Sequence, residues 1–172
     1  CKEAIPDLHI VVPLANKITT KIWREKVKKH APNLSIQEVK SETGVALTAS
    51  DVALMASGTA TLEGVLCKRP MVIGYKLNQF TYLAIKFFRL MKIKNFSLAN
   101  ILSKQSLAPE FLQSFCEANL LAPKVLEFFH NKEKVYKIEK EYTDIHKALS
   151  LSTNKLAASV ILDEVKKTKI NF

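Results

Sequence analysis

The sequence predicts an α/β domain, with a Rossmann-like parallel sheet, flanking helices and a helical carboxyl-terminal part. Three observations predict it. Short β-branched runs alternate with segments of helical period up to Tyr75, the pattern of parallel strands joined by crossover helices. Beyond about residue 102 no run reads as a strand, and helical periodicity takes over. Between the two, Ser57-Gly58-Thr59 ends an apolar run and opens a helix, and ligands of doubly wound sheets bind at such strand ends.

Each element follows from local chemistry. Leu8-His9-Ile10-Val11-Val12 is a β-branched run that Pro13 should end. Lys17 to Lys29 carries Ile18, Ile22, Trp23 and Val27 at helical spacing, which makes Trp23 a candidate core residue, and Pro32-Asn33 breaks it. Leu34 to Val39 alternates as a second strand, and Thr43 to Ala49 fits a short helix. Asp51 to Ala56 reads as the next strand, Thr59 to Cys67 as a helix, and Met71 to Tyr75 as a buried strand after the Arg69-Pro70 turn. Ala122 to His130, Lys132 to Leu149 and Thr153 to Lys167 read as helices, the last with an apolar stripe of Leu156, Val160, Ile161 and Val165.

The totals bound the class. A chain of 172 residues suffices for one domain with a real core. Four glycines and six prolines leave no room for a long low-complexity region, and there is no internal repeat. Three scattered cysteines, Cys1, Cys67 and Cys116, provide neither a disulfide framework nor a metal-binding pair, which suits a reducing compartment, the cytoplasm. The first residue is Cys1, and no flexible tether follows it, so a piece of a longer protein is expected rather than a lipoprotein. No apolar run is long enough to span a bilayer. A formal net charge of +10 favours anionic partners: nucleic acid, lipid headgroups or phosphorylated substrates.

Ser57 and Thr59 are suitable caps for a helix starting near Ala60, and Gly58 permits close approach of a ligand. Glu63 lies one turn in. Two readings fit: a well-capped helix, or a helix N-terminus whose N–H groups and dipole receive a phosphate while Glu63 accepts bonds from sugar hydroxyls. The four histidines, His9, His30, His130 and His146, lack ligand spacing and read as structural or surface residues, and no metal site is expected.

The run Ser57-Gly58-Thr59-Ala60-Thr61-Leu62-Glu63, with Arg69-Pro70-Met71-Val72-Ile73-Gly74-Tyr75-Lys76, resembles the lipid A disaccharide synthases. The likeness continues through Ser97-Leu98-Ala99-Asn100-Ile101-Leu102 and Ala108-Pro109-Glu110-Phe111-Leu112-Gln113. Ala99 stands where the family pattern has proline, a change of backbone stiffness more than of chemistry. The resemblance covers roughly Ile5 to Leu162 and the carboxyl-terminal half of such an enzyme. It implies the sugar-nucleotide domain of an inverting GT-B glycosyltransferase over residues 1–172, with 120–172 a helical extension and the amino-terminal acceptor domain absent.

The implied full reaction moves diacylglucosamine from UDP-2,3-diacylglucosamine to 2,3-diacylglucosamine 1-phosphate (lipid X) and releases UDP. The resemblance places Ser57, Gly58, Thr59 and Ala60 at the diphosphate, Glu63 at the ribose, and Asn100, Glu110 and Gln113 in the donor cleft. A helix N-terminus can stabilise the leaving diphosphate without a metal, so no cofactor is expected. The general base belongs to the amino-terminal half, so this chain alone should be inactive. Phe80 to Phe96 combines aromatics with cations, and Lys86, Phe87, Phe88 and Arg89 are the expected contacts with the inner-membrane surface, against a core helix as the alternative. A homodimer is a further expectation. The competing readings are another UDP-sugar transferase or epimerase, and a basic nucleic-acid-binding domain, for which no nucleic-acid motif is found.

Overall fold

The computed structural model describes residues 1–78, 95–150 and 153–169. Two parallel sheets carry the strands. In the first, β1 (Val11–Leu14) pairs with β2 (Gln37–Lys40), from Val11 opposite Gln37 to Leu14 opposite Lys40. Helix α1 (Lys17–His30) makes the crossover. Asn16 caps α1, its Oδ1 accepting from the Thr19 N–H at 2.9 Å, and Arg24 donates to Glu38 at 2.6 Å to tie the helix to β2. That pair holds the exposed Glu38 carboxyl below its usual range through the Arg24 hydrogen bond.

Helix α2 (Thr43–Ala49) leads to the second sheet, of order β3 (Ala53–Met55), β4 (Met71–Tyr75) and β5 (Glu110–Leu112), all parallel. Helix α3 (Ala60–Leu66) joins β3 to β4. Helix α4 (Leu98–Ser103) precedes β5, and a 3-10 turn (Gln113–Phe115) follows it. Three helices close the described chain: α5 (Ala118–His130), α6 (Lys132–Leu149) and α7 (Thr153–Lys169).

The structure corrects the sequence reading at several points. β5 lies beyond residue 102, where no strand was expected; three residues are too few to show a period, and pairing with β4 makes the strand. β1 runs through Pro13 instead of ending before it. The Gln37 N–H donates to the Ile10 carbonyl and the Ser41 N–H to the Leu14 carbonyl, so Pro13, of opposite parity, turns its donor-less nitrogen away from β2. β2 begins three residues later than Leu34, and α5 begins at Ala118 and carries Pro123 inside it. Trp23 is only half-buried, and α1 buries no residue fully. Most consequential, the expected single sheet is two.

The core gathers on the second sheet. Met71, Val72 and Ile73 of β4 are fully buried with Val65, Ala99, Ile138 and Tyr142, so α3, α4, α5 and α6 pack around the middle strand. None of residues 1–46 is buried. Gly64 lets α3 sit close on β4: a Cβ there would come 2.5 Å from Met71 Cε.

Candidate functional site

Ser57 to Glu63 lie beyond the carboxyl end of β3 and Gln113 just beyond that of β5, whereas Glu110 opens β5 and Asn100 lies on α4 before it. After β3 the chain turns at Gly58, whose φ of +149° is strained for any side chain, while nothing lies within 4 Å of the place a Cβ would take. Helix α3 starts at Ala60, as expected, but its capping differs from expectation. Thr59 is already helical and makes no side-chain cap, and the Ser57 hydroxyl donates to the Phe96 carbonyl at 3.1 Å instead. The Thr61 hydroxyl donates to the Gly58 carbonyl at 2.7 Å. Among the described residues, the backbone N–H groups of Gly58, Thr59 and Ala60 find no acceptor. An uncapped first turn presents these donors outward, and the helix dipole adds partial positive charge. Glu63 is exposed one turn further along, with no hydrogen-bond partner among the described residues.

Asn100, Glu110 and Gln113 are placed differently. Asn100 is 1% exposed, and its amide is fully engaged. Nδ2 donates to the Ala108 carbonyl at 2.7 Å and to Glu110 Oε1 at 2.8 Å, and Oδ1 accepts from the Ala108 N–H at 2.9 Å. The Glu110 carboxylate also accepts from the Phe96 N–H at 2.9 Å, the Ser97 N–H at 3.0 Å and the Ser97 hydroxyl. Gln113 pairs its amide with one peptide unit: Oε1 accepts from the Leu77 N–H at 2.6 Å, and Nε2 donates to the Leu77 carbonyl at 3.3 Å. These three side chains therefore hold backbone, at Leu77, Phe96, Ser97 and Ala108.

The sequence reading missed two participants. Ser97 caps α4 through its hydroxyl while donating to Glu110, and its place at the head of Ser97-Leu98-Ala99-Asn100 was the available signal. Tyr142, on α6, is fully buried, and its hydroxyl has no partner among the described residues. Burial first, and the negative charge of Glu110 second, push its phenol pKa upward, so the ring stays neutral. Nothing in the helical period of α6 pointed to it.

The expected membrane contacts, Lys86, Phe87, Phe88 and Arg89, lie outside the described residues. His9, His30 and His130 are exposed. His146 Nδ1 lies 2.7 Å from Lys68 Nζ beside a cavity of about 360 Å³, also lined by Thr143, Lys147 and Ser150, which contains none of the candidate residues. Among the described residues no three His, Cys, Asp or Glu side chains gather at metal-holding distance, and no helix is long and apolar enough to cross a membrane.

A parallel α/β domain whose strand ends carry an open helix N-terminus has the form of the Rossmann-like, carboxyl-terminal half of a GT-B glycosyltransferase. Comparison with known proteins narrows this class. The model of the Lipid-A-disaccharide synthetase family matches residues 1–165, and the chain belongs to that family. It is 38% identical over 162 residues to the lipid-A-disaccharide synthase of Xylella fastidiosa (strain M12), covering 94% of this chain and 42% of that protein. It is 38% identical over 167 residues to that of Haemophilus influenzae (strain PittGG), with the same coverage. With that of Xanthomonas campestris pv. campestris (strain 8004), identity is 36% over 162 residues, or 94% of this chain and 37% of that protein. The chain thus spans about two fifths of the length of these relatives.

Proposed function

We propose that this chain is the sugar-nucleotide-binding part of an enzyme that joins two acylated glucosamines. The full enzyme transfers diacylglucosamine from UDP-2,3-diacylglucosamine to lipid X and releases UDP. The acceptor hydroxyl oxygen attacks the anomeric carbon, the bond from that carbon to the diphosphate breaks, and the hydroxyl proton passes to a general base in the amino-terminal half. The observation that carries the reading is the family match through residues 1–165, which includes the uncapped turn at Gly58.

In this reading the N–H groups of Gly58, Thr59 and Ala60 receive the diphosphate as charge develops on it, and Ser57 holds the turn in place. Glu63 accepts from the ribose. Asn100, Glu110 and Gln113 shape the donor cleft through the backbone they hold. The dipole and donors of α3 supply the charge stabilisation that a bound metal would otherwise give. The lipid substrates place the enzyme at the cytoplasmic face of the inner membrane, with Lys86, Phe87, Phe88 and Arg89 as its contacts.

The test is a UDP titration of the isotope-labelled full-length protein, followed by amide chemical shifts. Shifts should centre on Ser57 to Glu63, and Glu63→Ala should weaken binding about tenfold, roughly one charge-assisted hydrogen bond. No shift there at millimolar UDP would refute the reading. Steep salt-dependent binding to arbitrary DNA, without UDP binding, would favour the nucleic-acid alternative.

A further inference from the structure

We propose that the cavity between the carboxyl ends of α3 and α6 binds a phosphate group. Its volume is about 360 Å³, and Lys68, Thr143, His146, Lys147 and Ser150 line it. That is the small end of the range for ligand sites, about 300–1,000 Å³. It suits a phosphate, free or on a small substituent. The cavity stands apart from the Gly58 turn. The turn precedes α3 and Lys68 follows it, with the 7 residues of the helix between them, a rise of about 10 Å. Neither site depends on the other.

Lys68 is a half-buried cation without a counter-ion. Among the described residues its ammonium makes no ion pair, and its bond is to His146 Nδ1 at 2.7 Å. Lysine has no acceptor, so Nδ1 accepts and the ring hydrogen sits on Nε2. Two N–H groups of the ammonium are left over. A partly buried charge without a partner is costly, and an anion removes that cost. Lys147 adds a second ammonium to the same wall. Its contact with Asp144, at 3.8 Å between exposed side chains, is too long and too wet to neutralise it.

Lysines at a helix carboxyl end often serve the helix instead, by bonding its last carbonyls or meeting its dipole. Here the backbone already serves these ends. The N–H groups of Cys67, Lys68 and Arg69 donate to the carbonyls of Glu63, Val65 and Gly64 at 2.9–3.0 Å. At the end of α6 the Ser150 N–H donates to the His146 and Lys147 carbonyls at 3.0 and 3.2 Å. Among the described residues neither ammonium bonds a carbonyl. Both charges remain available to a ligand.

The donors fit a phosphate better than a carboxylate. Both hydroxyl hydrogens are spent: Thr143 donates to the Glu139 carbonyl and Ser150 to that of His146, each at 2.7 Å. Two ammoniums and the Nε2–H of His146 remain. Ammoniums are compact point charges, without the planar fork that matches a carboxylate. The oxygens of a phosphate accept from several directions at once. Bound there, the phosphate would bridge the ends of two helices that already pack together.

The experiment is a titration of the full-length protein, isotope-labelled at histidine, with inorganic phosphate at constant pH and ionic strength. The His146 ring signals should shift saturably, half-way at about 1 mM, and chloride should not reproduce the shift. Saturating UDP should leave it in place. Lys68→Met should weaken binding at least about tenfold, and Lys147→Gln, on an exposed residue, about threefold or more. Phosphate should also raise the melting temperature of the parent but not that of Lys68→Met, as a ligand that binds only the folded state does. Glycerol 3-phosphate in solution and phosphatidic acid in vesicles distinguish a soluble ester from a lipid headgroup, and a shift with either supports the site. No saturable shift below about 50 mM phosphate would overturn the proposal. So would an equal response to acetate, displacement by UDP, or undiminished binding in whichever variants fold.

Discussion

Replacing Asn100 by alanine tests whether this side chain binds ligand or holds the protein together. Asn100 is 1% exposed and makes three hydrogen bonds of 2.7–2.9 Å, two to Ala108 and one to Glu110. Ala108 is itself 1% exposed, so its N–H and C=O would be left buried without partners. Each orphaned group costs about 1–3 kcal/mol, and the lost bond to the carboxylate adds about as much. Allowing for relaxation, Asn100→Ala should lower stability by about 3–5 kcal/mol. At 2–4 °C per kcal/mol for a chain of this size, the melting temperature should fall by about 6–20 °C. Asn100→Asp should do no better near neutral pH, because it sets a second carboxylate against Glu110 and removes both donors. The assay is thermal and urea unfolding of each variant, with UDP affinity measured well below the transition. A melting temperature within about 2 °C of the parent, with UDP binding lost, would refute the structural role and make Asn100 a direct contact.

Further substitutions probe the site and the scaffold. Glu63→Gln should leave stability within about 0.5 kcal/mol, because the side chain is exposed and makes no bond among the described residues, yet weaken UDP binding; a loss of stability without a loss of affinity would contradict this. Gly74→Ala should destabilise by about 1–3 kcal/mol, because its Cβ would come 2.7 Å from Cys116 Sγ, and Cys116→Ala should recover most of the loss in urea unfolding. Glu127 accepts from Lys134 at 2.6 Å and Lys124 at 3.1 Å, and these bonds hold its carboxyl below the usual range. Its folded pKa is depressed, so its stabilisation is present above the unfolded carboxylate pKa and is lost as pH falls through the folded value. Glu127→Gln should therefore flatten the unfolding-against-pH curve between about pH 5 and pH 3, and an unchanged curve would count against the pairing.

The strand–helix alternation was legible because each element had enough length to show a period: α1, α3, β4 and α6 fell close to their expected ranges. β5 was not, because three residues carry no period and its identity comes from pairing with β4. Pro13 was misjudged for a related reason, since its cost depends on which edge its nitrogen faces, and only the partner strand decides that. The turn and the helix start at Ser57 to Glu63 were legible, because a lone glycine interrupts an apolar sequence there. The work of Ser57 and Thr59 was not, because a hydroxyl that reaches Phe96, 39 residues away, leaves no local trace.

Gln113, Glu110 and Ser57 share a feature that bears on any mutational study of the proposed reaction. Gln113 binds the Leu77 peptide, Glu110 binds the N–H groups of Phe96 and Ser97, and Ser57 binds the Phe96 carbonyl. Leu77 and Phe96 bracket residues 79–94, so one flank of that stretch is fastened beyond β5 and the other to β5 and, through Ser57, to the Gly58 turn. Removing any of these side chains releases backbone at one of the flanks, so turnover of the full-length enzyme should fall whether or not the residue touches substrate. Activity loss alone therefore does not assign a contact. A direct contact to the diphosphate or ribose predicts weaker UDP binding at unchanged stability, as expected for Glu63. A backbone-holding residue predicts lower stability, with affinity falling only as far as the turn shifts, and a variant that keeps the same hydrogen bonds should restore both. Gln113→Glu separates the two: it keeps the acceptor for the Leu77 N–H but loses the donor to the Leu77 carbonyl and adds a charge. Under the backbone-holding role it should recover part of the stability lost in Gln113→Ala, and no recovery would argue that the amide serves the ligand instead.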